Sequence, residues 1–192
     1  MSAVLQRQDD REHIHSLLKS QAIISPNYDW LACMVASWAV GHGVLPDYLG
    51  LEPAQFNALN RHFFPDYPGL PEHAPSGSKL DFSRMLEKND LVNLLKQFSH
   101  ADNQETDWII EIIVAGCLGN DHLWQDLGLW SRSQLSAMLA YNFPALAAKN
   151  VHDMKWKKFL YKQLCEAEGL YLCRVPSCEV CIDYSKCYGS EE

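Results

Sequence analysis

The apolar residues of this chain recur at three- and four-residue intervals, and no stretch alternates convincingly at the period of two that a half-buried strand needs. Residues 9–21 place Ile14, Leu17 and Leu18 at helical spacing. Residues 28–40, "YDWLACMVASWAV", predict a second helix with Asp29 as N-cap and Gly41 as its stop. The segment 52–64 carries Pro53 just inside its start, where the missing N–H costs little. Helical patterns resume over 82–99, 105–118, 131–143 and 152–169, the last closing on Gly169 as C-cap. Between them, "FPDYPGLPEHAPSGSK" (64–79) holds four prolines and two glycines and reads as the longest loop, a kind of segment that is usually functional or mobile. The expectation is an all-α fold: a helical bundle-like domain over residues 1–169 and a loop-rich cysteine segment over 170–192, forming one structural unit. A chain of 192 residues buries about 70% of its unfolded surface, so folding need not depend on cross-links or metals.

Charge and hydropathy exclude several function classes. A net charge of −8 opposes non-specific binding to nucleic acid or anionic membranes. The longest apolar runs, 31–40 and 108–119, fall short of the ~20 residues of a membrane span, and Glu111 interrupts the second. The start, "MSAVLQRQDDREHIH", lacks the apolar core of a secretory signal, which predicts a cytoplasmic protein in a reducing compartment. There, seven cysteines point to metal binding or redox chemistry rather than to disulfides.

Four of the cysteines fall within fifteen residues, "CRVPSCEVCIDYSKC". Cys173, Cys178, Cys181 and Cys187 follow the spacing C-x4-C-x2-C-x5-C. Thiolates are soft ligands for zinc, copper(I) and iron–sulfur clusters, and gaps this short let one irregular loop wrap several sulfurs around a centre. Structural zinc sites commonly use two knuckles separated by a longer insert, whereas iron–sulfur motifs run their ligands consecutively. Both metals remain open on spacing. A helical interaction module with a four-cysteine structural zinc is therefore one reading. The tail also resembles the cluster loop of endonuclease III-like iron–sulfur DNA glycosylases. The glycine-rich hairpin of those enzymes does not occur here, and the chain lacks a basic footprint.

On the predicted helix before the cluster, Trp156, Leu160 and Leu164 form an apolar stripe with Phe159 at its edge. Lys155, Lys158 and Lys162 fall together on another side, either as a solvated face or as a guide for an anion. Cys165 projects near Lys158 and is a possible auxiliary metal ligand. Cys33 and Cys117 lie in apolar runs and read as small core residues. Of eight scattered histidines, His100, His122 and His152 sit at predicted helix ends, and each alone reads as a surface or capping residue. No Ser/His/Asp arrangement, Walker loop or G-x-G-x-x-G is present, so no catalytic residue is assigned.

The segments "DHLWQDLGL" (121–129), "FPALAAKN" (143–150) and "DMKWKKFLYKQLC" (153–165), together with the cysteine tail, resemble the NifQ family of nitrogen-fixation proteins, most strongly over residues 105–189. The resemblance implies an iron–sulfur protein that binds molybdenum as a molybdenum–iron–sulfur cluster, the cluster held being 4Fe-4S or Mo-Fe-S. Such a protein donates molybdenum for the iron–molybdenum cofactor of nitrogenase, as a carrier rather than a turnover enzyme. It implies Cys173, Cys178, Cys181 and Cys187 as the cluster ligands. A mixed molybdenum cluster can need further ligands at molybdenum, for which His100, His122, His152 and Cys165 are the candidates, with no choice among them from sequence. The implied partners are the cofactor-assembly scaffold complex, the nitrogenase iron protein and molybdate or another molybdenum source; neither nucleic acid nor membrane is among them.

Overall fold

The computed structural model describes residues 3–19, 25–67, 73, 85 and 87–167. Among these residues there are nine α-helices and one 3-10 turn, and no strand. The fold is all-α, as the periodicity predicts. In chain order the helices are α1 (Ala3–Leu18), α2 (Asn27–Ala39), α3 (Pro53–Phe63), α4 (Lys88–Gln97), α5 (Gln104–Cys117), α6 (Leu123–Asp126), α7 (Arg132–Asn142), α8 (Pro144–Ala147) and α9 (Trp156–Ala167), with the 3-10 turn at Asp47–Gly50.

Two helices are buried almost all round, the signature of central elements. In α5, Trp108, Ile109, Ile110, Ile112, Ile113, Val114, Ala115 and Cys117 are all core residues. In α2, every residue from Leu31 to Trp38 is buried. The remaining helices offer one face each. In α3 that face is Phe56, Leu59 and Phe63, in α4 Leu91, Leu94 and Leu95, and in α9 Trp156, Phe159 and Leu160. Each such side chain contributes about 1.5–3 kcal/mol on leaving water. Helix α1 packs on α2, α4 packs on both α5 and α9, and α7 packs on α8.

Polar groups fix how these faces meet. The Tyr28 hydroxyl of α2 donates to the Leu18 carbonyl at the end of α1. Asn27 and Asn142 exchange reciprocal side-chain hydrogen bonds of 3.1 and 2.7 Å inside the core, tying the start of α2 to the end of α7. Asn103 and Ser131 cap α5 and α7 by accepting from Thr106 and Gln134 N–H groups at 2.9 and 3.2 Å. Ser37 Oγ donates to the Gly128 carbonyl at 2.6 Å and accepts from Trp130 Nε1 at 3.2 Å. Gly128 has φ +75°, and a Cβ there would lie 2.7 Å from Ser37 Cβ, so only glycine allows this approach.

Several boundaries differ from the sequence expectation. Helix α2 begins at Asn27 behind Pro26, which places Asp29 inside the first turn; there it pairs with Lys19 at 3.0 Å instead of capping. Helix α1 begins at Ala3, well before residue 9. Helix α9 begins at Trp156, not 152, because residues 151–155 form a turn in which Asp153 has φ +48°. The short helices α6 and α8 carry too few residues for a periodic signal. Pro53 and Gly41 stand where expected, as the first residue of α3 and just past the end of α2. Gly169 and most of the 64–79 loop lie outside the described residues.

Candidate functional site

Cys173, Cys178, Cys181 and Cys187 lie outside the described residues, so the candidate site is built from the helix that leads into them. Helix α9 is entered through a tightly braced turn. The Arg132 guanidinium forks onto the Asp153 carboxylate with contacts of 2.8 and 2.6 Å and reaches the Asp153 carbonyl at 3.2 Å. That fork holds the Asp153 carboxyl below its ordinary pKa and supports the left-handed backbone of this non-glycine residue. Asn150 closes the same turn, accepting from the Met154 N–H at 2.8 Å and donating to the Met154 carbonyl at 3.0 Å. Trp156 then inserts into the core and donates from its indole N–H to Ser136 Oγ at 3.0 Å.

In the first turn of α9, Lys157 is buried, at 8% exposure. Its ammonium donates to the Gly119 carbonyl at 2.9 Å and forms a direct ion pair with Asp126 of α6, which is 1% exposed. The paired carboxylate oxygen also accepts from the Asp121 N–H at 3.2 Å, while the other receives no hydrogen bond among the described residues. Burial pushes the Asp126 pKa up, and the adjacent Lys157 charge opposes that shift without cancelling it. A Cβ at Gly119 would fall 2.2 Å from Asp126 Cγ, so glycine is needed where the loop closes over the pair. Two of the segments that carry the family resemblance, 121–129 and 153–165, are thus joined by a buried charge pair.

Lys157 is not one of the three lysines, Lys155, Lys158 and Lys162, that spacing sets on another side of the helix. The signal was present: Lys157 stands three, four and seven residues before Leu160, Tyr161 and Leu164, on the apolar stripe itself. Leu160 and Tyr161 are core residues and Leu164 packs on the core, as the stripe predicts. Lys155 and Lys158 are half-buried; Lys162 is exposed and pairs with Glu166 at 3.6 Å.

Cys33 and Cys117 are core residues, 4% and 3% exposed, as read from their apolar surroundings. Burial raises the pKa of both thiols, that of Cys117 to about 12. Cys33 Sγ lies 3.5 Å from His15 Nε2, itself packed against the Trp130 ring. Cys165 is half-buried on α9. His100 is exposed with its ring 5.8 Å from that of Tyr141, His122 precedes α6, and His152 is exposed in the turn before α9. Among the described residues, no three His, Cys, Asp or Glu side chains come together to hold a metal ion, so these candidates are not assembled with one another there. No described helix is long and apolar enough to cross a membrane.

Alongside α9 runs a groove of about 440 Å³, lined by Lys149, His152, Met154, Phe159, Lys162 and Glu166 among others. It includes Lys162 of the three lysines singled out by spacing, but neither Lys155 nor Lys158.

The comparisons with known proteins agree with one another. A family model described as NifQ matches residues 30–189. The NifQ protein of Azotobacter vinelandii is 42% identical over 174 residues, covering 86% of this chain and 89% of that one. The NifQ protein of Klebsiella pneumoniae is 33% identical over 170 residues, covering 85% and 99%. That of Rhodobacter capsulatus is 34% identical over 155 residues, covering 80% and 82%. No solved structure matches the chain.

Proposed function

We propose, from the premise that the chain belongs to the NifQ family, that it carries molybdenum for assembly of the nitrogenase iron–molybdenum cofactor. Cys173, Cys178, Cys181 and Cys187 hold an iron–sulfur cluster, either 4Fe-4S or one that includes molybdenum, and the protein hands that cargo on. The observation that carries the reading is the donor set: four consecutive thiolates at short spacing, all inside the stretch 30–189 that matches the family. Soft sulfur donors suit iron and reduced molybdenum better than oxygen donors would.

The protein acts as a donor, not as a turnover enzyme. Its helical body, residues 1–169, is a platform, and the cysteine segment, 170–192, is the part that holds cargo. Lys155, Lys158 and Lys162 bring positive charge to an otherwise acidic chain, and Cys165 is a candidate auxiliary metal ligand. The recipients are the cofactor-assembly scaffold complex and the nitrogenase iron protein that works with it, in the cytoplasm.

A transfer experiment tests this. Protein isolated without oxygen from molybdenum-replete cells is mixed with a cofactor-assembly system that lacks any other molybdenum source. Molybdenum should appear in the assembled cofactor, and replacing the four tail cysteines with alanine should abolish that transfer. Undiminished transfer from the four-alanine protein would sink the assignment.

A further inference from the structure

The groove beside α9 has a charge arrangement that the cluster reading does not use. In a chain of net charge −8, Lys149, His152 and Lys162 all line one concavity of about 440 Å³. Its wall includes Met154 and the buried ring of Phe159, which give the groove an apolar side beneath its charged rim. The Lys149 ammonium also lies 4.5 Å from the centroid of the Phe98 ring, which does not line the groove.

The groove already holds one anionic group of its own. Glu166 pairs with Lys162 at 3.6 Å and accepts from Gln163 Nε2 at 2.7 Å, so two donors converge on a single carboxylate. Both partners of that ion pair are about half exposed, 47% and 54%, which makes the contact weak and easily exchanged. A dianion carries twice the charge of the carboxylate and presents acceptors in several directions. It can recruit Lys162 and Gln163 together with Lys149 and His152, which Glu166 alone does not engage through any bond described. The volume exceeds that of a bare four-oxygen anion, so the ligand enters with part of its water shell.

From this we infer that the groove lined by Lys149, His152, Lys162 and Gln163 is a reception site for a tetrahedral dianionic oxyanion, with Glu166 as the internal competitor that the ligand displaces. The inference deepens the proposed function and rests on it for which oxyanion is physiological; Glu166, the last residue lining the groove, stands seven residues before Cys173 in the chain. It shifts the anion contact from Lys155 and Lys158, which do not line the groove, to Lys149 and His152.

The test is calorimetric titration at low ionic strength of the full chain with sodium molybdate, sulfate and phosphate in turn. The protein carries alanine at all four tail cysteines, so that no cluster contributes. One equivalent of anion should bind. K162Q and K149Q should each weaken binding about tenfold, the usual effect of losing one charge-assisted contact. E166Q should strengthen it several-fold, which distinguishes displacement of an internal carboxylate from general attraction to lysines. All three positions are on the surface, and unchanged thermal midpoints verify that the variants fold. Preference for molybdate over phosphate and sulfate supports the site and names its ligand; the reverse preference supports the site and assigns it to a phosphate-type anion. Failure of all three anions to bind, binding indifferent to K149Q and K162Q, or weaker binding in E166Q would overturn the inference. Those results would leave the cluster assignment standing, because metal content is measured on the unsubstituted tail.

Discussion

Replacing Lys157 with methionine isolates the energetic role of the pair beneath α9. The substitution keeps most of the side-chain volume and helix propensity but leaves Asp126, 1% exposed, without its counter-charge. A buried ion stripped of its partner costs about 3–5 kcal/mol, and the Gly119 carbonyl loses a donor in the same step. Total stability of a domain is only about 5–15 kcal/mol, so this single change removes a large fraction of it. The double variant K157M/D126L removes both charges and should regain most of the loss, ending within about 1–2 kcal/mol of the parent. Burial already raises the Asp126 pKa, and losing Lys157 raises it further. Above the unfolded-state pKa, a carboxyl with a raised folded pKa binds more protons folded than unfolded, so K157M should weaken as pH rises through that window and recover as pH falls. Urea denaturation followed by circular dichroism, at mildly acidic and mildly alkaline pH, measures all of this. The four-alanine tail background keeps metal out of the equilibrium. A loss below about 1 kcal/mol in K157M, or a double variant no more stable than the single, would refute the reasoning that the pair is a locked internal charge couple.

Three further outcomes are expected. Gly119→Ala puts a Cβ 2.2 Å from Asp126 Cγ and should destabilise by more than the ~0.5 kcal/mol scale of an ordinary surface change, with the loss persisting in the D126L/K157M background because leucine places atoms at the same positions as the carboxylate; the same denaturation assay reads it. Asn142→Ala strands the buried Asn27 amide and should cost about 2–3 kcal/mol, seen as a lower midpoint at unchanged urea slope. Cys117, with its thiol pushed up to about 12 by burial, should resist alkylation at neutral pH in the folded protein and react only on unfolding, as mass mapping of labelled peptides would show.

How much of this was legible in the chain depends on length and on burial. Long periodic segments such as 105–118 announced their helices because fourteen consecutive positions carry the repeat of α5. The four-residue helices α6 and α8 contain barely one turn each and have no period to detect. Asp29 was misread as a cap because side chain and position suited it, but Pro26 pre-sets the backbone and the helix starts two residues earlier. The core role of Cys33 and Cys117 followed from their apolar neighbours. The Lys157–Asp126 pair was not legible for an opposite reason: lysine is seldom buried, so its place on the apolar stripe carries no sign of a partner, and Asp126 lies thirty-one residues away in sequence. The groove at Lys149, His152 and Lys162 was out of reach as well, because the turn through Asp153 that folds 149–152 back against α9 has a non-glycine residue at positive φ.

The central proposal is that the four tail cysteines hold an iron–sulfur cluster, 4Fe-4S or molybdenum-containing, in a protein that carries molybdenum. Its most direct test is the iron, molybdenum and zinc content per chain after purification without oxygen from molybdenum-replete cells that are making nitrogenase. Iron together with molybdenum, both lost when Cys173, Cys178, Cys181 and Cys187 are changed to alanine, is the result the account predicts. Stoichiometric zinc without iron, or iron and molybdenum retained in the four-alanine protein, would contradict it.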